Sequence, residues 1–440
     1  MFKRASKYSL QNPDMKVPIL LFSVVLILRT AYALFHYLSF GPPPTNAYFE
    51  IATIMLEQGK LFYEATHPYY ESAAPLLPWI NAVTMFLFGN SYLPLYLVTA
   101  LISSLITVMI WNLTSEFAGK RVALLASVWS AIYLFYYFYT PSPGKDIWMA
   151  FFMICLVWLF YRIISGKNQG YLAVILLTIL FSAAFHLDER FFVYGPFIFL
   201  LLLYRESGGL RKFVVRKSVL FAVGTIILML PWSIRNYQQH DKIVILSTRT
   251  EAFTDPFFGY ERREHILDIY NDPRGAFYID EDSFDAVTGG EKVTTPGGRS
   301  ISREQVEAMR KGRYPREFGR AEAFGSRLLT MFEPVQLRGR YERTGYYYYE
   351  KSLRHNLATL LFYGIPFFFS IPGFIFMYRS NRTITLLILT IILVWAVVHA
   401  LAIPYTNWRY RLPLDAFFII AGTYGAVSVY GSLLKNKPIR

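Results

Sequence analysis

Charged residues are scarce in this chain of 440 residues, of which Asp, Glu, Lys and Arg make up only 17%. A soluble domain carries about a quarter charged residues, whereas 54% of this chain is hydrophobic. The composition therefore predicts a membrane protein. The formal net charge of +14 does not indicate a nucleic-acid partner, because no basic–aromatic nucleic-acid-binding module accompanies it.

Cysteine and the common catalytic motifs are also nearly absent. The single cysteine, Cys155, lies in an apolar run, so a disulfide framework is excluded. His36, His186 and His399 are scattered singly and make no recognisable metal set, so we expect neither a metal nor another cofactor. Zinc proteolysis, ATP hydrolysis and serine-hydrolase chemistry have no sequence support, because HExxH, P-loop and GxSxG motifs are missing.

Apolar runs recur along the chain, and crossing a bilayer takes about 20 such residues, which predicts about ten transmembrane helices in an all-α polytopic fold. The segment 74–89 is apolar but short and contains Pro75, Pro78 and Asn81, so we expect it to lie at the interface or re-enter. The first span is expected to stay uncleaved, because no A-x-A site follows it. The predicted spans run near 17–39, 92–115, 121–139, 147–165, 169–187, 191–205, 218–235, 356–378, 384–403 and 414–434.

Basic residues orient these spans. With the N-terminus in the cytoplasm, the inner segments hold a large excess of Lys and Arg over Asp and Glu, as the positive-inside rule requires. A crossing at 74–89 would move the cluster Arg211, Lys212, Arg216 and Lys217 to the outside. We therefore expect a multi-pass protein of the cytoplasmic membrane, with both termini in the cytoplasm.

Three outer regions follow from this orientation: a first loop at 40–91, short turns at 140–146, 187–190 and 404–413, and a polar segment at 236–355. The polar segment is too long for a structureless connection, so a small outer α/β subdomain is predicted there, with a flexible or hairpin-like part at 282–302. The predicted organisation is a transmembrane module with the first loop at 1–235, the extracytoplasmic segment at 236–355, and C-terminal transmembrane helices at 356–440.

Ionisable residues gather at the span ends on the outer side, where an anionic ligand would meet several arginines and one or two carboxylates. Each residue also has an ordinary structural explanation, because arginines snorkel at span ends and aspartates cap helices. Arg29 differs, since a charge within a span is costly and is typical of a functional site. The residues concerned are Arg29, Asp146, Asp188, Glu189, Arg190, Arg235, Arg409, Arg411 and Asp415.

Six sequence blocks follow one another along the chain: TNAYFEIATIMLEQGKLFYE (45–64), APLLPWINAVTMFLFGNSYLP (74–94), FAGKRVALLASVWSAIYLF (117–135), PSPGKDIWMAFFMICLVWLF (141–160), LPWSIRNYQQHDKIVILST (230–248) and RYRLPLDAFFIIAGTYG (409–425). In this order they resemble the GT-C superfamily of membrane glycosyltransferases. The nearest likeness is to the branch with protein O-mannosyltransferases and lipid A aminoarabinose transferases. PWxxRN followed by RYRLPLxxF is the most specific pair, and only 250–355 has no motif that can be placed.

The resemblance implies transfer of a sugar from a polyprenyl-phosphate donor to a lipid, glycan or protein acceptor at the outer face, with inversion and without a metal. It also implies that 46–59 and 74–89 are jaw helices on that face. Membrane lipids surround such a protein, and no nucleic acid is involved. Asn46 and Tyr48 would bind substrate in the first outer loop. The lipid phosphate, as leaving group, would be stabilised by arginines, namely Arg29, Arg190, Arg235, Arg409 and Arg411.

The chain departs from the family pattern in the first outer loop. The family usually has an Asp two to four residues before the tyrosine that matches Tyr48, whereas this chain has Pro44, Thr45 and Asn46. Asp146 matches the family's second acidic position. For the general base we rank Asp146 first, Glu71 second and Glu50 third.

Two alternatives stay open. A polytopic transporter or flippase of lipid-linked saccharides would carry polar residues near the span midplanes, whereas most ionisable residues here lie at outer ends. A catalytically degenerate GT-C protein would bind lipid-linked sugar without transferring it, and the missing loop aspartate is consistent with that.

Overall fold

Helices make up nearly all of the described part of the computed structural model, as the composition predicts. The structure describes residues 13–42, 46–60, 74–142, 144–168, 170–205, 211–240, 244–246, 353–402 and 408–435, together with short pieces between 266 and 334. In chain order the helices are α1 (Pro13–Phe40), α2 (Ala47–Gln58), α3 (Leu76–Phe88), α4 (Tyr92–Ala118), α5 (Lys120–Ile132), α6 (Leu134–Tyr139), α7 (Asp146–Ile164), α8 (Tyr171–Leu187), α9 (Tyr194–Arg205), α10 (Arg211–His240), α11 (Leu353–Thr359), α12 (Ile365–Ser380), α13 (Arg382–Ala402) and α14 (Leu412–Lys435).

Seven helical stretches in the described part of the chain are long and apolar enough to cross a membrane. They lie in α1, α4, α7, α10, the continuous α11–α12 segment, α13, and α14 with the turn before it. The other three predicted spans correspond to shorter helices: α8 has 17 residues, α9 has 12, and the span predicted at 121–139 is divided into α5 and α6. The protein is therefore a multi-pass membrane protein, while the number ten stays a prediction.

The division of the 121–139 span occurs at Tyr133, whose backbone is extended (φ −65°, ψ 109°). Two contacts hold this break. The Ser130 carbonyl accepts a hydrogen bond from Arg29 Nη2 at 2.9 Å, and the Tyr133 hydroxyl donates to Asp415 Oδ2 at 2.6 Å. A hydropathy pattern cannot reveal this break, because both partners come from helices distant in sequence.

The centre of the bundle is α7. In the 18-residue apolar stretch of α7, 83% of the residues are buried inside the protein, compared with 22% in the corresponding stretch of α1. It packs against α4, α8 and α14. Apolar side chains on most faces are typical of a helix that is enclosed by other helices. The first residue of α7, Asp146, therefore lies at the end of a helix that is packed on several sides.

The closest helix pair is α12 with α14, and glycines permit it. A Cβ at Gly373 would lie 2.7 Å from the Ala421 carbonyl carbon, and one at Gly422 would lie 2.8 Å from Pro366 Cα. Small residues that let helix backbones meet are typical of membrane helix interfaces. A π-helical turn, Leu360–Gly364, joins α11 to α12 and carries Tyr363.

The two predicted jaw segments are short helices that pack against each other. Asn46 caps the N-terminus of α2, because its Oδ1 accepts a hydrogen bond from the Phe49 N–H at 3.1 Å. Gly59 ends α2 in the left-handed conformation (φ 61°). With 13 residues, α3 is about 20 Å long, which is shorter than the roughly 30 Å of a bilayer core. The length agrees with the predicted non-crossing segment.

Two antiparallel hairpins lie in the long polar segment. Ile266–Asp268 (β1) pairs with Tyr278–Asp280 (β2), and Lys292–Thr294 (β3) pairs with Ser300–Ser302 (β4). The second hairpin falls inside 282–302, where a hairpin-like part is predicted. Most of 236–355 lies outside the described residues, so the α/β subdomain and the division at 236–355 stay predictions.

Candidate active site at one end of the helix bundle

Asp146 is the first residue of α7 and its side chain is almost fully buried, with 3% of the residue exposed. A carboxylate at a helix N-terminus is favoured by the helix dipole. Its Oδ1 accepts a hydrogen bond from Arg409 Nε at 2.8 Å. Its Oδ2 has no hydrogen-bond partner among the described residues. Buried polar atoms are nearly always paired, so this oxygen is an exception that needs a functional or structural reason.

The turn that precedes Asp146 begins at a contact with α4. Thr140 Oγ1 donates to Ser103 Oγ at 3.3 Å, and Ser103 is about 16 Å along α4 from its first residue, Tyr92. Gly144 lies against the carboxylate, because a Cβ there would be 3.3 Å from Asp146 Oδ2 and 3.3 Å from Ser142 Oγ. Glycine at position 144 therefore leaves space beside Asp146 Oδ2 that a larger residue would take up.

Arg409 comes from the 3-10 turn Trp408–Arg411, immediately before α14. The backbone of this turn is anchored, because the Tyr410 carbonyl accepts a hydrogen bond from Trp395 Nε1 at 2.8 Å. The Arg409 side chain is 34% exposed, although its partner Asp146 is buried. A ligand can thus reach Arg409 without opening the bundle.

A second ionic cluster adjoins the first through the neighbour of Asp146, Lys145. Asp188 is completely buried and forms ion pairs with Lys145 and Arg190. Its Oδ1 accepts from the Arg190 backbone N–H at 3.0 Å and from Arg190 Nε at 2.6 Å, and its Oδ2 accepts from Nη2 at 2.6 Å. The carboxylate therefore fixes both the turn after α8 and the residue before α7.

The charges in this cluster reinforce one another despite burial. Burial alone would raise the pKa of Asp188, but the attraction of Arg190 and Lys145 outweighs it and holds that pKa well below its usual range. Burial likewise opposes the charge of Lys145, yet Asp188, with smaller contributions from Tyr48 and Glu189, raises the pKa of the ammonium. All members stay ionised at neutral pH.

Arg190 connects this cluster to the turn of Arg409. Its Nη1 bonds His399 Nε2, and its guanidinium lies 5.4 Å from the Tyr410 ring centroid. The Nδ1 of His399 is 3.0 Å from the Trp395 carbonyl. Because a carbonyl only accepts, Nδ1 carries the proton and Nε2 accepts from Arg190. His399 is accordingly a neutral imidazole with a structural task.

The first outer loop contributes Tyr48, which is close enough to Lys145 to help raise the pKa of its ammonium. Glu50 lies instead beside Tyr92, the first residue of α4, and the Phe49 ring stacks on Tyr92 at 4.0 Å. Residues two apart on a helix point in different directions. The structure therefore places Tyr48 beside the ionic cluster, and it places Glu50 on the side of α4.

Three of the predicted phosphate ligands use their guanidinium groups inside the fold. Arg29 is fully buried and bonds the Ser103 and Ser130 carbonyls, which ties α1 to α4 and to the end of α5. The other two are Arg235 and Arg411. Arg235 Nη1 donates to Asn236 Oδ1 at 2.9 Å, near the end of α10.

Arg411 is also fully buried. Its Nε donates to Asp415 Oδ1 at 2.7 Å, and its guanidinium stacks 3.1 Å from the Tyr363 ring centroid. Each of the three arginines thus has partners within the protein, and these partners alone can explain why a charged residue occupies the position. Phosphate binding by Arg29, Arg235 and Arg411 stays a prediction.

The structure thus brings together Asp146, Arg409, Lys145, Asp188 and Arg190, with Tyr48 close by. Glu71, the second-ranked base, lies outside the described residues. Sequence reasoning overlooked Lys145, although its place next to Asp146 in PSPGKD was the signal that could have identified it. In the described part of the chain, His, Cys, Asp and Glu do not gather in groups of three or more that could hold a metal.

Comparisons with known proteins identify the fold in which this cluster lies. Residues 67–234 match a family described as dolichyl-phosphate-mannose-protein mannosyltransferase. No curated protein sequence matches the chain. ArnT from Cupriavidus metallidurans, solved with undecaprenyl phosphate, shares 14% identity at a TM-score of 0.54, and the match covers 92% of this chain and 59% of that one.

The apo oligosaccharyltransferase of Archaeoglobus fulgidus also shares 14% identity, at a TM-score of 0.52, with 94% of this chain and 51% of that one covered. The chain thus spans little more than half the length of either protein. Such identities show the fold alone, and that fold is the one of the GT-C superfamily. The resemblance predicted from the six blocks is confirmed at this level.

Proposed function

We propose that this protein is a glycosyltransferase that moves a sugar from a polyprenyl-phosphate donor to an acceptor hydroxyl at the outer face of the cytoplasmic membrane. The observation that carries the proposal is Asp146, a buried carboxylate with one oxygen bound to a reachable arginine and the other without a partner among the described residues. The family match at 67–234 includes Asp146. ArnT, which shares the fold, was solved bound to undecaprenyl phosphate, and this supports the class of donor.

The proposed reaction assigns each group a task. Asp146 Oδ2 accepts the proton of the acceptor hydroxyl, while the acceptor oxygen bonds to the anomeric carbon of the sugar. The bond from that carbon to the phosphate oxygen breaks, and polyprenyl phosphate leaves with the electron pair. Attack opposite to the leaving group inverts the anomeric centre. No step requires a metal or a redox cofactor.

Arg409 and Lys145 are the cations proposed to stabilise the phosphate, because they flank Asp146 and are more exposed than Arg190. The exposed fractions of the three side chains are 34%, 12% and 5%. Hydrogen bonds from ionised donors to phosphate are strong. Arg190 is proposed to support this site from behind, through Asp188 and Tyr410, rather than to contact the phosphate.

The side of the membrane is argued from the opposite end of the bundle. That end carries Arg162, Lys167, Arg379 and Arg382 in or beside the ends of α7, α12 and α13. Basic residues favour the cytoplasmic side. We therefore place the Asp146 end of the bundle outside the cytoplasm, and both termini inside.

A transfer assay tests the proposal. The purified protein in lipid nanodiscs is supplied with a panel of polyprenyl-phosphate sugars and acceptors, and both the glycosylated product and the released polyprenyl phosphate are measured by mass spectrometry. Asp146→Asn should lower the rate by about 10²–10⁴-fold, which is typical for loss of a general base. Glu57→Gln is the matched control, because Glu57 is an exposed carboxylate on α2.

Glu50→Gln tests the third-ranked base in the same assay, and Glu71→Gln tests the second-ranked one. Transfer that is unchanged in Asp146→Asn but abolished in Glu71→Gln would move the base to Glu71. Absence of transfer and of released polyprenyl phosphate with every donor would contradict the enzymatic proposal.

A second candidate, a GT-C protein that binds lipid-linked sugar without transferring it, is favoured by Asn46. This residue stands where the family usually has a loop aspartate, and its side chain is engaged in capping α2. Tight binding of a polyprenyl-phosphate sugar to the wild-type protein without turnover would support this candidate over the enzyme.

A further inference from the structure

The ion pair of Asp146 and Arg409 differs in accessibility from the other ion pairs described at the same end of the bundle. In the pair of Arg411 with Asp415 the side chains are 0% and 1% exposed, and in the pair of Arg190 with Asp188 they are 5% and 0% exposed. Arg409 is 34% exposed. A phosphate that approaches this end can therefore compete for Arg409, whereas the deeper arginines are shielded by protein.

Arg409 can change its partner without a change in the backbone. The turn is anchored on one side by the bond from Trp395 to the Tyr410 carbonyl and on the other by the pair of Arg411 with Asp415. Its guanidinium uses Nε for Asp146. Rotation of the Arg409 side chain alone would move this donor from a carboxylate to a phosphate oxygen, and hydrogen bonds from a guanidinium to phosphate are among the strong charge-assisted ones.

The consequence falls on Asp146. While Arg409 bonds Oδ1, the guanidinium partly compensates the charge of the carboxylate and occupies one of its two oxygens. We infer that phosphate and Asp146 compete for Arg409, so that phosphate binding withdraws the arginine and uncovers the carboxylate. The competition frees the carboxylate from Arg409 only when the donor is bound. This inference rests on the proposed function, which supplies the identity of the ligand and the task of Asp146.

A double-mutant cycle on ligand affinity tests the competition without any need for turnover. The four proteins are wild type, Asp146→Asn, Arg409→Gln and the double variant, each in nanodiscs. The probes are undecaprenyl phosphate, measured by native mass spectrometry, and inorganic phosphate, measured by its effect on thermal stability. Asp146→Asn should bind the probe about fivefold more tightly, because a competitor for a partly exposed arginine has been removed.

The same substitution in the Arg409→Gln background should give no gain, and Arg409→Gln alone should weaken binding. An equal gain in both backgrounds would mean plain charge repulsion and would overturn the inference. Weaker binding by Asp146→Asn would mean that Asp146 and Arg409 hold the phosphate together, which also overturns it. Arg409→Lys, which keeps the charge but lacks the Nε donor, should lie between wild type and Arg409→Gln.

The two probes separate this inference from the proposed function. Coupling seen with inorganic phosphate but no binding of undecaprenyl phosphate would uphold the competition and reject the polyprenyl donor. Binding of undecaprenyl phosphate without coupling would uphold the donor and reject the competition. No binding of either probe would reject both. Folding of each variant is checked by protection of Cys155, the single cysteine of the chain, which is buried.

Discussion

The close contact between α12 and α14 predicts that an added methyl group at the contact lowers the stability of the fold. In Gly425→Ala, the new Cβ would lie 2.8 Å from the Gly373 nitrogen and closer still to the Phe369 carbonyl oxygen. Ordinary contacts begin at 3.4 Å, so α12 must withdraw by about 0.6 Å to clear the Gly373 nitrogen and by more to clear the Phe369 carbonyl oxygen. Such overpacking costs about 1–3 kcal/mol. The neighbouring atoms are backbone, which cannot turn aside as a side chain can.

Gly431→Ala on the same helix is the matched control, because nothing lies within 4 Å of a Cβ at that position. There the alanine should be neutral or stabilising by up to about 1 kcal/mol, since alanine is the better helix former. A dye that fluoresces on reaction with Cys155 reports unfolding during a thermal ramp, because this cysteine is buried in α7. A Tm for Gly425→Ala equal to or above that of Gly431→Ala would refute the packing argument.

The ionic cluster and the α2 cap give further predictions. Asp188→Asn should destabilise the fold by about 3–5 kcal/mol, because the buried Arg190 and the partly exposed Lys145 lose their shared partner. Because folding lowers the pKa of Asp188, its ionised carboxylate stabilises the fold fully above pH 3.8, the ordinary pKa of the group. This stabilisation is lost only as the pH falls through the lower pKa of the folded state. Because folding raises the pKa of Lys145, its ammonium stabilises the fold fully below pH 10.5, the ordinary pKa of the group. This stabilisation is lost only as the pH rises through the higher pKa of the folded state. The Tm difference between wild type and Asp188→Asn should therefore be constant between about pH 5 and pH 9, and a slope in that window would contradict the assignment. Asn46→Ala should cost about 0.5–2 kcal/mol through loss of the cap, while Asn46→Asp should keep it; equal proteolytic sensitivity of the first loop in both variants would count against the cap.

Several features of the fold could be predicted from local sequence. The apolar runs predict the helices, since burial in lipid requires about 20 apolar residues in a row, and the shortness of the apolar run at 74–89 predicts the short helix α3. Asp146 is predicted at the start of α7 because the polar PSPGKD gives way there to an apolar run. Each of these inferences depends on neighbours within a few turns of helix.

Contacts between distant helix ends could not be predicted in this way. Arg409 and Asp146 are 263 residues apart, and Arg190 and His399 are 209 apart. Arg29 illustrates the limit: its charge within a span indicates a functional role, but the sequence does not reveal that it bonds the Ser103 and Ser130 carbonyls. The helix break at Tyr133 likewise depends on Asp415, far along the chain.

Hydrophobicity and helix length are local properties, so a helical membrane protein with charged residues at the helix ends follows from the order of residues along the chain. The packing of the helices sets which of those charges meet. It paired Asp188 with two cations, buried Arg411 beneath Tyr363, and left Asp146 with a partly exposed arginine on one oxygen. The physical reason is that ion pairing depends on distance and burial, which are set when the helices pack.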